Sequence, residues 1–254
     1  MSTDKARQYH SITIGEKNTW DDWHLIPSSR PLVNPPSVNE KFVDIPGMNG
    51  QLDLTETLLG YPTYANRTGS WEFYVMNDYW DWATAYSTIM RYLHGKRLRC
   101  VLDDDQSYYY EGRFKVNQWK SDKNWSMITI DYTINPFKHS IESSVDQWLW
   151  DPFNFETGII RNYKGIEVDG SYELRLVGGD DRAVPSFILK SLTSDNFTIN
   201  YYAQDGATVL SSVLTSENIN TPFAPEDMVV IPGVNVITFT GVGEIDVDYR
   251  EGTF

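Results

Sequence analysis

The stretch Val43-Asp44-Ile45-Pro46-Gly47-Met48-Asn49-Gly50-Gln51-Leu52-Asp53 reads as two strand ends joined by a tight reversal. Two glycines stand three residues apart behind Pro46, and glycine takes positive φ at no steric cost, so the backbone can double back here. A reversal of this kind between short apolar runs belongs to a strand-rich chain. Its surroundings agree: residues 8–75 form short strand-like runs broken by turns, and Pro31, Pro35 and Pro36 restrict one segment to an edge or a loop.

The hydrophobic period then changes. Trp82, Tyr86, Ile89 and Leu93 fall on one helical face while Thr84, Thr88 and Arg91 fall elsewhere, which predicts a helix over 78–94. Asn77 or Asp78 suits its N-cap, Asp81 its first turn, Arg91 and His94 its last turn, and Gly95 its C′ position. Beyond it the period returns to two. Ile128, Ile130, Tyr132 and Ile134 alternate with Thr129, Asp131 and Thr133, and a Ser121-Asp122-Lys123-Asn124 turn joins them to a strand through Phe114 and Val116. That is a long hairpin.

Residues 135–150 lose the pattern, and a domain boundary is expected between 138 and 147. The second half shows strand signals alone: Tyr172, Leu174 and Leu176; Phe197, Ile199 and Tyr201 before Asp205-Gly206; and a final hairpin expected around Gly241-Val242-Gly243. Short alternating strands at turn-marked intervals indicate an antiparallel sandwich. The reading is a mainly β chain of two domains, 1–138 and 139–254.

With 254 residues, 41% hydrophobic and 14% aromatic, the chain has ample material for folded cores. Its net charge of −14 is unevenly placed. Residues 1–138 carry 17 acids and 15 bases, whereas 139–254 carry 18 acids and 6 bases. The second half, at about −12, disfavours phosphate binding, which needs cations that displace counterions. No sequence-specific nucleic-acid binding is expected. The single cysteine, Cys100, rules out an intramolecular disulfide and fits synthesis in a reducing cytoplasm. No apolar run approaches a membrane span and the N-terminal residues form no signal peptide, so the chain is read as soluble and without membrane contact.

Catalytic and ligand-binding constellations are sparse. His10, His24, His94 and His139 show no ligand spacing, so no metal site is assigned. Asp103-Asp104-Asp105 lacks the alternation of a calcium loop and reads as an acidic hairpin loop before Tyr108-Tyr109-Tyr110. Asp180-Asp181 and Asp246 with Asp248 read as turn or strand faces. No nucleophile elbow, dinucleotide loop or phosphate loop is present, and no carboxylate pair stands out for glycoside hydrolysis. The chain is read as no enzyme and as holding no cofactor. Trp119, Trp125, Trp148 and Trp150 are candidate sugar platforms, although large aromatics more often fill cores and interfaces.

Several motifs then act together: Asn18-Thr19-Trp20-Asp21-Asp22-Trp23; the turn Asp44, Pro46, Gly47, Gly50 and Asp53; Asn66-Arg67; Leu93-His94-Gly95-Lys96; Tyr110-Glu111-Gly112-Arg113; and Asn135-Pro136-Phe137-Lys138. In this order the set resembles the phage distal tail protein family, the Dit baseplate hubs of long-tailed, non-contractile phages and related prophages. Phe137 stands where that family often has tyrosine. In the second half the resemblance rests on Pro232-Gly233-x-Asn235 and a closing Tyr249-Arg250-Glu251-Gly252, while Gly178–Pro185 departs from the family's loop.

The resemblance implies a tail-tube-like first domain with one helix and a long hairpin, assembling as a homo-hexameric ring, and a galectin-like β-sandwich as second domain. It implies a virion component at the tail tip, with the major tail-tube protein, a tail-associated hub or fibre protein and a receptor-binding protein as partners. Arg30, Arg67 and Arg113 either pair with acids of a neighbouring copy or pin strands within the chain. The second domain is expected to dock another tail protein rather than bind DNA or simple sugars. The alternative is a glycan-binding β-sandwich module, and after it a glycosidase.

Overall fold

The computed structural model describes residues 9–75, 82–121, 126–146, 161–202 and 209–254. Contacts divide the chain into two compact units, Met1–Lys138 and His139–Phe254. Both are built mainly from antiparallel strands.

In the first unit the strands are β1 (Ile12–Ile14), β2 (Lys17–Asn18), β3 (Leu25–Pro27), β4 (Phe42–Asp44), β5 (Gln51–Asp53), β6 (Arg67–Val75), β7 (Arg97–Leu102), β8 (Tyr108–Ser121) and β9 (Ser126–Ile134), with helix α1 at Trp82–Leu93. Seven of these strands hydrogen-bond in the order β2-β1-β7-β8-β9-β6-β3, while β4 and β5 pair with each other as a separate two-stranded sheet. Period-two patterning decides which side is core. Trp71, Phe73 and Val75 of β6, Phe114 and Val116 of β8, and Ile128, Ile130, Tyr132 and Ile134 of β9 are buried, and the residues between them face outward.

Helix α1 closes this core with Ala85, Ile89 and Leu93, while Trp82 and Tyr86 pack against it half-buried. The described part of the helix is Trp82–Leu93, and the caps expected at Asn77 or Asp78 lie outside the described residues, as does Asp81. Gly95 does take positive φ, at 76°. Its N–H donates to the Phe114 carbonyl at 2.8 Å, so the helix ends by handing its backbone to the neighbouring strand. The β8–β9 hairpin is present, with a register shift between Val116 and Trp119; its turn at 122–124 lies outside the described residues.

The second unit contains β10 (Lys138–Ser140, entering from the boundary), β11 (Ile166–Gly178), β12 (Ser186–Leu192), β13 (Phe197–Tyr202), β14 (Val209–Leu214), β15 (Pro222–Phe223), β16 (Gly233–Asp248) and β17 (Gly252–Thr253). Five strands run in the order β14-β13-β16-β12-β15, and β11 also pairs with β16 along its whole length. The core is apolar on the inward positions: Leu174, Leu176, Phe187, Leu189, Phe197, Ile199, Ile237, Phe239, Ile245 and Val247 are buried.

One expectation fails here. Residues 233–248 form a single strand, and no hairpin turns at Gly241-Val242-Gly243. The glycines serve close approach instead. A β-carbon on Gly243 would lie 2.2 Å from the Ser191 carbonyl oxygen, and one on Gly241 would lie 2.9 Å from that of Asn196. The connection from β12 to β13 crosses the strand there: Thr193 N–H donates to Val242 O at 2.8 Å, and Val242 N–H donates to Ser194 Oγ at 3.0 Å. At this crossing β16 changes partner, from β13 at Thr240 to β12 at Gly243. Glycine without a side chain permits both a turn and a crossing, and sequence alone does not distinguish them.

Candidate functional site

The quoted reversal forms as read. β4 and β5 pair as a two-stranded hairpin, Phe42 with Asp53, Val43 with Leu52 and Asp44 with Gln51. Gly47 and Gly50 both adopt left-handed backbone, φ 83° and 82°, with open space where a β-carbon would be. Asp44 accepts from Gln51 Nε2 at 3.0 Å, and Asp53 accepts from the Thr55 N–H at 2.9 Å, closing a small turn after β5. The Thr55 side chain and N–H together lower the Asp53 carboxyl below its ordinary value. Phe42, Val43, Ile45, Met48 and Leu52 are all exposed on this hairpin. An isolated two-stranded hairpin has no face on which to bury such residues.

The segment before it is strapped down by polar contacts. Trp71 Nε1 donates to Leu32 O at 2.9 Å, Asn34 Nδ2 to Thr68 O at 2.8 Å, and the Asn34 N–H to the Tyr132 hydroxyl at 3.0 Å. Arg67 completes the strap. Its guanidinium donates through Nε to Pro136 O at 2.7 Å and through Nη1 to Asn34 O at 3.3 Å, and lies 5.6 Å from the Tyr110 ring centroid. Arg67 is only 5% exposed. Burial lowers its proton affinity, with the neighbouring Tyr110 and Tyr132 opposing that shift.

The other two arginines also make contacts within the chain. Arg113 donates to Gly95 O at 2.9 Å, and Arg30 pairs with Asp104 at 2.8 Å. Gly112 of β8 lies so close to the β9 backbone that there is no room for a side chain.

Each residue of the acidic run before β8 has a polar partner, and two of the three have cationic ones. Asp103 accepts from Gln106 Nε2, Asp104 binds His10 Nδ1 at 2.9 Å as well as Arg30, and Asp105 binds Lys138 at 2.7 Å. Burial pushes the Asp104 carboxyl up, but the His10 and Arg30 hydrogen bonds and charges outweigh it and hold the carboxyl below its ordinary value. The tyrosine triplet receives one cation each: Lys138 over Tyr108, Arg99 over Tyr109 and Arg67 over Tyr110. No sequence spacing announced the ion pairs of Asp104 and Asp105, because each joins residues distant along the chain.

In the second unit the closing Tyr249-Arg250-Glu251-Gly252 is a clasp. The Gly179 N–H donates to the Tyr249 hydroxyl at 2.9 Å, and the Tyr249 N–H donates to Ser144 Oγ at 2.7 Å. Arg250 donates to Ser140 O and Ile141 O. Glu251 accepts both Arg161 nitrogens, at 2.7 and 2.9 Å, and Gly252 passes so close to Asp181 that a β-carbon would lie 2.5 Å from Asp181 Cβ. Asn235 is buried and fully satisfied: its amide donates to Ile231 O and Gly233 O, and its carbonyl accepts from Tyr201 and from the Ile231 N–H.

Trp125, Trp148 and Trp150 lie outside the described residues, and of Trp119 only the backbone is described. Among the described residues no cluster of His, Cys, Asp and Glu could hold a metal ion, and no helix is long and apolar enough to cross a membrane.

The two-unit, mainly antiparallel architecture has a counterpart among known structures. The chain superposes on the Dit protein of phage SPP1, described as a paradigm of the hub adsorption apparatus in phages infecting Gram-positive bacteria, with a TM-score of 0.60 and 11% identity over 96% of this chain and 99% of that one. The chain has the Dit fold. A phage P2 baseplate structure, in its activated conformation with Ca, also matches over 94% of this chain and 90% of that one, at 7% identity and a TM-score of 0.34. No family model and no curated protein sequence matches. At 11% identity the Dit fold has been kept while nearly nine residues in ten differ, so the likeness lies in architecture.

Proposed function

We propose that the chain is a structural virion protein, a distal tail or baseplate hub whose first unit assembles into a homo-hexameric ring. The Dit fold along nearly its whole length carries this reading. The β4–β5 hairpin supports it independently: five large apolar side chains stand exposed on a ribbon too small to bury them, and a neighbouring copy supplies the missing surface. A heterologous contact repeated around a rotation axis closes a ring with one modest interface per copy. The first unit's near balance of charge avoids strong repulsion on assembly. In this reading the ring continues the tail-tube protein, and the acidic second unit faces the fibre and receptor-binding proteins.

The test is assembly of the intact protein, alone and with its tail partners, followed by native mass spectrometry and negative-stain imaging. Six-fold rings are expected. Cys100 is buried, and burial pushes its thiol up to about 12, so Met48→Cys provides one reactive label on the hairpin. Its protection from a thiol reagent on assembly is the expected result. Monomers alone in the presence of every tail partner, or a label equally reactive in ring and monomer, would overturn the proposal or its interface.

A further inference from the structure

Among the described residues, three strands of the second unit's six-stranded sheet pair on one side only: β11 with β16, β14 with β13 and β15 with β12. An edge strand turns alternate N–H and C=O groups away from its sheet, ready to pair with another chain, and folded proteins blunt such edges with charge, proline, bulges or shortness. Two of these three edges are blunted. β11 carries Glu167, Asp169, Glu173 and Arg175, holds Gly170 at φ 86°, and has its Val177 carbonyl taken by Arg161 Nε at 3.1 Å. β15 is two residues long and begins with Pro222.

β14 has none of these devices. Its six residues, Val209-Leu210-Ser211-Ser212-Val213-Leu214, include no charge, proline or glycine, and they pair with β13 residue for residue without a register shift. Leu214 is buried opposite Phe197, and Leu210, opposite Tyr201, packs half-buried against the core. Ser211 and Val213 point to the other side, Val213 being 57% exposed. Acids stand at one end of this edge. Phe197 pairs with Leu214, so Asp195, two residues before β13, and Glu217, three residues after β14, lie at the end where β14 leaves the sheet, and both are exposed.

We propose that β14 is a docking edge, which accepts as an added antiparallel strand an extended segment of another protein, about six residues long, that alternates apolar with small neutral residues and follows a lysine or arginine. The backbone of β14 supplies the hydrogen bonds. The segment's apolar side chains lie beside Leu210 and Leu214 and extend the core, while its neutral ones lie beside Ser211 and Val213. Antiparallel addition brings the segment's N-terminal end to Leu214, where Asp195 and Glu217 favour a cation. A second copy of β14 fits less well. It brings a unit whose own charge is about −12, and a six-residue ribbon buries far less than the roughly 1,200–2,000 Å² of a stable interface.

The inference adds to the proposed function the place and mode of a contact, and it is tested apart from ring formation. The probe is an array of synthetic peptides alternating Val, Ile or Leu with Ser or Thr over six residues, each preceded by Lys-Lys, Gly-Gly or Glu-Glu, with the intact protein applied. Saturable binding of the Lys-Lys series is expected, at least tenfold tighter than the Glu-Glu series and weakening as salt is raised. In the best peptide, N-methylation of alternate residues on one edge is expected to abolish binding, whereas N-methylation on the other edge leaves it within about threefold, since an added strand pairs through one edge.

Val213→Lys, which places a charge on the exposed side of the edge, is expected to weaken binding at least tenfold with unchanged melting temperature. Should it lower the melting temperature, Glu217→Gln decides, by a loss of the preference for Lys-Lys. A blank array, a preference for the Gly-Gly or Glu-Glu series, or equal sensitivity to N-methylation on both edges overturns the proposal. So does self-association of the protein that Val213→Lys abolishes while no peptide binds, since the edge then pairs copies. Ring assembly, read separately by imaging, is untouched by the peptide outcomes.

Discussion

Gly112 pairs directly with Ile134 across the β8–β9 hairpin, and a β-carbon on Gly112 would fall 2.3 Å from the Thr133 carbonyl oxygen and 2.4 Å from Ile134 Cα. Both obstacles are backbone and cannot swing aside. Gly112→Ala is therefore expected to destabilise the first unit by about 1–3 kcal/mol through overpacking. Chemical denaturation of the intact protein checks this, and an unchanged midpoint for the first unit would mean the strands separate at little cost.

Gly47 and Gly50 present the opposite case: positive φ with empty space around. Valine at either position meets backbone strain of about 1–3 kcal/mol rather than a clash. The hairpin is peripheral, so this strain is expected to reorganise the hairpin locally and to reduce ring assembly more than it lowers the melting temperature. Gly47→Asn should be milder, since asparagine tolerates this backbone. Equal ring yield from wild type and both valine variants would remove the hairpin from the interface.

The Arg161–Glu251 pair is bidentate and little exposed, at 12% and 20% of the side chains, and Arg161 Nε also reaches Val177 O at 3.1 Å. Arg161→Ala leaves a partly buried carboxylate unpaired and removes a donor from the Val177 carbonyl. A loss of about 2–3 kcal/mol in the second unit is expected. Lysine should not restore it, because an ammonium lacks the fork. A double-mutant cycle with Glu251→Ala measures the coupling, and a value near zero would reduce the clasp to ordinary packing.

Asp181 yields a pH prediction. Burial raises its carboxyl above the ordinary 3.8, with His139 and the Arg182 N–H opposing. A carboxyl raised in the folded state costs stability once ionised: the folded state is favoured below pH 3.8, and that advantage is lost as pH rises through the folded value. Asp181→Asn keeps an acceptor for the Arg182 N–H and removes the charge. Its melting temperature should exceed wild type at pH 7, and the difference should vanish as pH falls toward 3.8. A difference that grows on acidification would refute this.

The boundary has a sharp consequence. Ser140, Ile141 and Ser144 all bind the 247–251 segment, with Ser144 Oγ donating to Val247 O at 2.6 Å. A 139–254 fragment is expected to fold with strand-rich circular dichroism and a cooperative melt, and a 145–254 fragment to lose that cooperativity. Equal melts for the two fragments would show that residues 139–144 are dispensable.

Local chemistry reached far along this chain. Period-two runs and the 82–93 helical stripe declared the mainly β architecture, because side-chain direction follows backbone period without reference to any partner. The left-handed glycines of the 43–53 reversal were legible for the same reason: positive φ is a property of one residue. What the sequence left undecided is everything that depends on which strand comes to lie beside which. Gly241 and Gly243 signalled a special backbone, but only the crossing of the 191–196 connection made it a crossing and not a turn. Arg67 was open to either an inter-subunit or an intrachain role; its burial under Asn34 and Pro136 follows from a strap 33 residues upstream and a carbonyl 69 residues downstream. The counter-ions of Asp104 and Asp105 arise likewise from long-range pairing. Propensity, turn geometry and periodicity act over a few residues and are written in sequence. Pairing register and burial are collective results of the packed chain, and only the tertiary structure decides them.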